Sequence, residues 1–316
     1  MTIPAAFRGR MTVPAIVAPM FLVSGPDLVS AACRAGIAAS FPSLNARPLA
    51  TLDAWFGQLN ETLDETHAPY GVNLILHPSN TRLADDLALV VKHKVPFVIT
   101  SLGNPARVVE AVHAYGGVVF SDVIHAYHAK KAIEAGVDGI IAVGAGAGGH
   151  AGTQSPFALI REIREFWNGT LILGGAISDG ASIRAAEVLG ADFAYMGTRF
   201  IATQESMAQP AYKDMLTTAG PRDIVYTPVV SGTNANFLWP SLEKAGYTQE
   251  SLAAGGKPAN HDYADEAKAW RDVWSAGHGV ANIHDVPTVA ELAARLAEEY
   301  RLACALPLSP ALRSPV

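Results

Sequence analysis

Cysteine is almost absent from the chain. Cys33 and Cys304 lie far apart and form no C-x-x-C pair, which argues against a disulfide framework or a thiolate zinc site and fits a reducing compartment. Charge is scarce too: Asp, Glu, Lys and Arg make up 16% of 316 residues, with a formal net charge of −6. Lys and Arg are scattered, whereas a nucleic-acid or anionic-membrane surface needs a basic patch, so neither partner is expected. No run of about 18 apolar residues occurs, hence no membrane span is expected. The segment Met1–Arg10 has an early proline and no long apolar stretch. It does not read as a signal peptide, and a cytoplasmic location is the expectation. Gly-x-Ser-x-Gly does not occur, nor does a His-x-x-x-His pair with an acidic partner, so the usual nucleophile and metal signatures are missing.

Half of the residues are hydrophobic, enough for one large core. Short apolar runs alternate with helical patterns. Strands are predicted at Ala15–Pro19, Ile37–Phe41, Tyr70–Ile75, Phe97–Thr100, Val118–Asp122, Gly139–Val143, Thr170–Leu173 and Phe193–Met196. Helices are predicted at Pro26–Ala35, Thr81–His93, Pro105–Ala114, Ala126–Ala135, Pro156–Trp167 and Asp179–Leu189, several opening on proline and closing before glycine. Strands apolar on both faces and joined by helices imply a parallel sheet. Eight such units suggest a (β/α)8 barrel, the TIM-barrel architecture, with an open doubly wound sheet as the alternative. The first strand runs into Ala18-Pro-Met-Phe21 instead of a glycine-rich dinucleotide fingerprint, which favours the barrel. Regularity then breaks between 203 and 285, read as an insertion after the eighth strand that forms a lid or substrate subdomain. The barrel would comprise 1–202 plus 286–305, closed by a helix near Val286–Leu296, and 306–316, with three prolines, would be a flexible tail.

The segment Ala142-Val-Gly-Ala-Gly-Ala-Gly-Gly-His-Ala-Gly152 follows the sixth predicted strand. Glycines allow close approach of backbone to a ligand, and a histidine there can exchange protons near neutral pH. In such barrels the active site lies at the C-terminal strand ends, with phosphate on the loops after the seventh and eighth strands. Those loops read Gly174-Gly-Ala-Ile-Ser-Asp179 and Gly197-Thr-Arg-Phe200, making Gly174, Gly175, Gly197 and Thr198 the phosphate candidates. A phosphorylated planar cofactor fits this layout, flavin mononucleotide (FMN) best. Asn73 and Met20, at the ends of the third and first strands, would meet its ring; a turn-forming Asn and a core Met are the alternative readings. Cys33 falls within a predicted helix, and Asp122 and Asp138 lie near strand ends.

Taken in order, Ala18-Pro-Met20, Gly71-Val-Asn73, Gly136-Val-Asp138, Ala147-Gly-Gly-His-Ala-Gly152, Gly174-Gly175, Gly190-Ala-Asp192 and Met196-Gly-Thr-Arg199 resemble the nitronate monooxygenase family, formerly the 2-nitropropane dioxygenases. The resemblance spans roughly 14–200 and resumes weakly at Ser275–Gly279. It implies an FMN-dependent barrel enzyme that oxidises alkyl nitronates or nitroalkanes to carbonyl compounds and nitrite with O2, with His150 as catalytic base. The implied cofactor contacts are Ala18, Pro19, Met20, Asn73, Asp138, Gly148, Gly149, Gly174, Gly175, Met196, Gly197 and Thr198. No metal is implied, and apolar barrel exteriors are compatible with a homodimer. The chain departs from the family at Val143-Gly-Ala-Gly146, where Gln-Gly-x-Glu is common, at Ala276-Gly-His-Gly279, where Gln is common, and after Ser231-Gly232, where Asn234 and Asn236 stand in place of an arginine. Flavin-dependent enoyl-acyl-carrier-protein reductases and NAD(P)H:quinone reductases resemble the family closely. An NAD(P)H reductase is therefore the alternative, separable by NAD(P)H consumption. A flavin-free sugar-phosphate barrel enzyme would lack cofactor colour.

Overall fold

The computed structural model describes residues 3–255, 271 and 273–307. Eight parallel strands close a barrel: β1 (Ala15–Val17), β2 (Ala38–Pro42), β3 (Tyr70–Ile75), β4 (Phe97–Ser101), β5 (Val118–Val123), β6 (Gly139–Val143), β8 (Thr170–Gly174) and β9 (Phe193–Met196). The ring closes where β1 pairs with β9, Ile16 lying opposite Tyr195. The fold is the expected (β/α)8 barrel, and that pairing excludes the open sheet. Strands such as β2 and β4 are buried along their whole length, as required when helices cover the outside and side chains fill the inside.

The covering helices are α1 (Pro26–Arg34), α2 (Leu49–Thr62), α3 (Leu83–His93), α4 (Ala106–His113), α5 (Ala126–Glu134), α6 (Pro156–Arg164) and α7 (Gly180–Leu189). The sequence patterns do not announce α2. Its buried face is narrow, with Leu52, Phe56 and Leu59 at successive turns, and Gly57, Thr51 and Thr62 dilute its helix propensity. Packing of that face decides it.

The barrel floor is sealed by Phe7, in a short 3-10 turn, whose ring lies 5.3–5.7 Å from those of Phe97, Phe120 and Phe193. Gly71 and Gly139 make room for this cluster: a Cβ on Gly71 would come 2.3 Å from the Phe97 ring, and one on Gly139 2.7 Å from Phe120. Large rings against absent side chains fill the interior at crystal-like density. The functional end is therefore the opposite one.

Two short motifs belong to the floor. Gly136 and Gly190 adopt left-handed conformations, φ +89° and +114°, that end α5 and α7. The aspartate two residues later then stitches neighbouring strands: Asp138 Oδ2 accepts Val119 N at 2.8 Å and Asp192 Oδ2 accepts Leu171 N at 2.8 Å. Asp138 precedes β6 and does not end it, so it lies at the opposite end of the strand from the mouth.

After β9 come α8 (Thr198–Ile201), α9 (Pro210–Thr218), an antiparallel hairpin of β10 (Ile224–Thr227) and β11 (Ala235–Leu238), α10 (Trp239–Lys244) and α11 (Gln249–Ala253). The chain returns through a 3-10 turn at His278–Asn282 to α12 (Val289–Cys304), capped by a reciprocal Thr288–Glu291 box. Residues 256–270 and 272 of the expected insertion, and 308–316 of the expected tail, lie outside the described residues. Among the described residues no helix is long and apolar enough to cross a membrane.

Candidate active site

The mouth encloses a cavity of about 1230 Å³, above the roughly 300–1,000 Å³ of ordinary small-molecule pockets. It has room for a cofactor and a substrate together. Ala18, Pro19, Met20, Asn73, Gly148, Gly149, His150, Gly174, Gly175, Gly197 and Thr198 all line it. The structure brings these sequence-derived candidates together, but not Asp138 or Met196. Asp138 is held at the floor, paired with His113 Nε2 at 2.8 Å. Met196 is buried in the layer between barrel and helices: side chains alternate along a strand, and Tyr195 is the one that faces the cavity.

Met20 is fixed by a loop clasp. Asn45 donates through Nδ2 to the carbonyls of Met20 and Ser24, at 2.9 and 2.8 Å, and accepts Leu22 N at 2.8 Å. Leu22 sits at φ +60°, a conformation that an over-determined loop can hold.

The glycine loop after β6 is gripped by later parts of the chain. Its two-residue strand β7 (Gly149–His150) pairs with β11, His150 opposite Ala235 and Gly149 opposite Asn236. Asn236 Nδ2 donates to Ala147 O at 2.7 Å, and Tyr226 Oη donates to Ala151 O at 2.9 Å. From the other side, His278 N donates to Gly146 O at 2.9 Å and Gly277 N to Thr198 Oγ1 at 2.9 Å. A Cβ on Gly148 would come 2.9 Å from Gly277 N, and one on Gly277 2.4 Å from Gly146 O. Several glycines of this loop thus serve backbone-to-backbone contact within the protein, a use the sequence alone does not distinguish from ligand approach.

On the far side of the mouth the lining is made of side chains. Asn73 Nδ2 donates to Ile99 O at 3.2 Å and to Ser101 Oγ at 2.7 Å, and Ser101 Oγ donates to Asp122 Oδ2 at 2.5 Å. Asn73 and Ser101 are buried. Asp122 touches the cavity but is surrounded by protein, and this burial pushes its carboxyl up to about 6 against the opposing effects of the Ser101 hydrogen bond and the charge of His150. Burial likewise holds the Tyr195 hydroxyl far above its usual range, with the charge of Asp122 as a second cause. Sequence reasoning placed Asp122 at a strand end but gave it no role, and missed Ser101 and Tyr195, which carry no motif. Cys33 is buried in α1, and desolvation lifts its thiol to about 12, so it offers no nucleophile.

A phosphorylated cofactor is tested by what the cavity leaves unpartnered. Ser178 Oγ lines the cavity just before α7, is buried, and has no hydrogen-bond partner among the described residues. A hydroxyl so placed normally has a partner. Gly175 and Ala176 before it turn at φ +133° and +56°, and α7 begins with Asp179 as its cap. A small-residue turn, a helix N-terminus and an orphan hydroxyl at the strand end fit a phosphate, and the open glycine side fits a planar ring.

A family model described as nitronate monooxygenase matches residues 53–299. The chain is 28% identical over 345 aligned residues to a nitronate monooxygenase of Paraburkholderia phytofirmans, covering 91% of this chain and 92% of that protein. The solved structure of FabK from Thermotoga maritima matches with TM-score 0.77 and 27% identity over 93% of this chain and 94% of that one. A nitroalkane oxidase structure from Streptomyces ansochromogenes matches with TM-score 0.80 over 95% and 99% of the two chains, at 23% identity, a likeness of fold.

Proposed function

Because this chain belongs to the nitronate monooxygenase family of flavin-dependent oxidoreductases, we propose that it oxidises alkyl nitronates to carbonyl compounds and nitrite with FMN and O2, His150 serving as base toward neutral nitroalkanes. The observation that carries this reading is the placement of His150: a half-buried imidazole on a gripped glycine loop, lining the same cavity as Asn73 and the small-residue turn at Gly174–Ser178. When bound, the flavin supplies the electron-accepting ring.

The chain's own residues do the rest. Gly174, Gly175, Ser178, Gly197 and Thr198 would hold the phosphate, and Met20 and Asn73 the ring. The β7–β11 pairing keeps His150 in place, so little reorganisation is needed when a substrate carbon arrives. A base so positioned contributes on the order of 10²–10⁴-fold.

An NAD(P)H-dependent reductase is the second reading. It is favoured by the size of the cavity, which continues past the glycine loop to Leu102, Asn104 and Lys131, and by the likeness to FabK. The two separate in one experiment: an absorption spectrum of the purified protein, followed by anaerobic mixing with propyl-2-nitronate and, separately, with NADH and NADPH. The expected result is flavin bands bleached by the nitronate alone. Bleaching by a nicotinamide alone selects the reductase, and a colourless protein that cannot be reconstituted with FMN overturns both.

A further inference from the structure

Three aspartates at the ends of barrel strands differ in their surroundings. At the floor, Asp138 and Asp192 each accept a backbone N–H and face a basic partner, His113 at 2.8 Å and Arg164 at 2.6 Å. These are structural stitches. Asp122 is at the mouth, lines the cavity, and receives the Ser101 hydroxyl at 2.5 Å. Ser101 is itself held by Asn73 at 2.7 Å, so the carboxylate is aimed by a buried chain running across β3, β4 and β5.

The titratable groups coupled to Asp122 are His150 on β7, whose charge acts on it, and Tyr195 on β9, which in turn feels the charge of Asp122. Tyr195 stays neutral far above neutral pH. His150 is therefore the group whose change of charge Asp122 feels. His128, Lys131 and Glu134 of α5 line the outer cavity, with Lys131 and Glu134 paired to each other at 2.7 Å. A half-buried carboxyl with a hydroxyl donor, lining the same substrate-sized cavity as a histidine, is suited to answering a change in that histidine's charge.

We propose that Asp122 is the charge-balancing and positioning partner of His150: its carboxylate, aimed by Ser101, stabilises the imidazolium formed when His150 takes the α-proton of a neutral nitroalkane. This rests on the reading of His150 as base. In the step the α-carbon–hydrogen bond breaks and its electron pair stays with the substrate, delocalised onto the nitro oxygens as the nitronate. The imidazole lone pair forms the new N–H bond. Imidazole and nitroalkane become imidazolium and nitronate, with no change of oxidation state. Ionised Asp122, in the lining of the same cavity, offers the new cation a negative charge; protonated Asp122, the form favoured below about pH 6, does not. A preformed nitronate bypasses the step.

The test reads Asp122 directly in the holoenzyme. The infrared carbonyl stretch of its protonated carboxyl, identified by its loss in Asp122→Asn, is expected to titrate near pH 6. The midpoint is expected to rise in His150→Ala, which removes a positive charge, and to rise in Ser101→Ala, which removes a donor to the ionised form. A midpoint unmoved by His150→Ala overturns the coupling, whatever the enzyme turns over. In turnover, Asp122→Asn is expected to lose about tenfold or more in kcat on neutral 2-nitropropane, the equivalent of one unit of charge-state preference. The expected loss on propyl-2-nitronate is smaller, and KM should change little on either. Equal losses on both substrates would assign Asp122 a merely structural part. Were the wild type to oxidise neither substrate, the functional reading and the nitroalkane step would fall together, while the infrared arm would still decide the coupling.

Discussion

The two arcs of the barrel mouth are made of different material. From β3 to β5 the lining is side chain: Asn73, Ser101 and Asp122 in a hydrogen-bonded row. From β6 round to β9 it is mostly backbone, the Gly146–Gly149 loop, the Gly174–Ala176 turn and Gly197, with His150 and Tyr195 projecting from it. Backbone can cradle an anion or a flat ring without offering a titrating group. A row of polar side chains can tune the charge of a neighbour. The mouth thus sets a backbone arc, from which His150 projects, beside a row of polar side chains that can tune its charge.

The largest expected effect removes the imidazole and leaves the backbone arc that carries it. His150→Ala should lower turnover of neutral nitroalkanes by roughly 10²–10⁴-fold while FMN stays bound through gel filtration. Wild-type turnover in that variant would remove the base assignment. The complementary break is Gly175→Leu. Gly175 has φ +133°, and a Cβ there would come 2.9 Å from Ala145 O, so FMN occupancy should drop severely. Unchanged flavin absorbance after gel filtration would take this turn out of the site.

Asp122→Asn sharpens the comparison through stability. The carboxyl is pushed up to about 6 in the folded protein from 3.8, so it contributes no penalty below about pH 4. Stability is then lost as pH rises through 6, where the folded state disfavours the ionised form. The variant should therefore melt higher than wild type at pH 8, with the gap closing toward pH 4. A gap that widens on acidification contradicts the assigned burial. The smallest effect belongs to Ser178→Ala. Loss of one hydrogen bond to phosphate should weaken FMN binding several-fold, as about 0.5–1.5 kcal/mol implies. The apoprotein should be no less stable, because its Ser178 hydroxyl is buried and has no partner among the described residues. Equal flavin affinity by titration would separate Ser178 from the phosphate.

The backbone arc was the more legible of the two in the sequence. A glycine cluster after an apolar run is visible as composition, and the strand ends of a barrel say where such a cluster must lie. The side-chain arc was mostly silent. Asn73 stood out within its motif, but Ser101 and Asp122 end ordinary strands, and only the register that sets Ser101 beside Asp122 makes them a row. Met196 and Asp138 show the complementary failure. Each belongs to a motif, yet strand alternation turns Met196 toward the helices, and one strand length carries Asp138 to the floor. The eight strands were readable because burial on both faces leaves long apolar runs. The helix at Leu49–Thr62 was not, because its contacts decide it more than its pattern. The pairing of β7 with the hairpin at 224–238 joins residues about 85 positions apart, a relation that local patterns do not carry.

That pairing also fixes an order of assembly. A nascent chain has all eight barrel strands by Met196, and domains generally fold from the N-terminus as they emerge. The later residues that grip the histidine loop, Tyr226, Asn236 and His278, have not yet been synthesised at that point. A chain cut short after its eighth strand therefore has every strand of the barrel but lacks the later residues that clamp the His150 loop and the closing helix at Val289–Cys304.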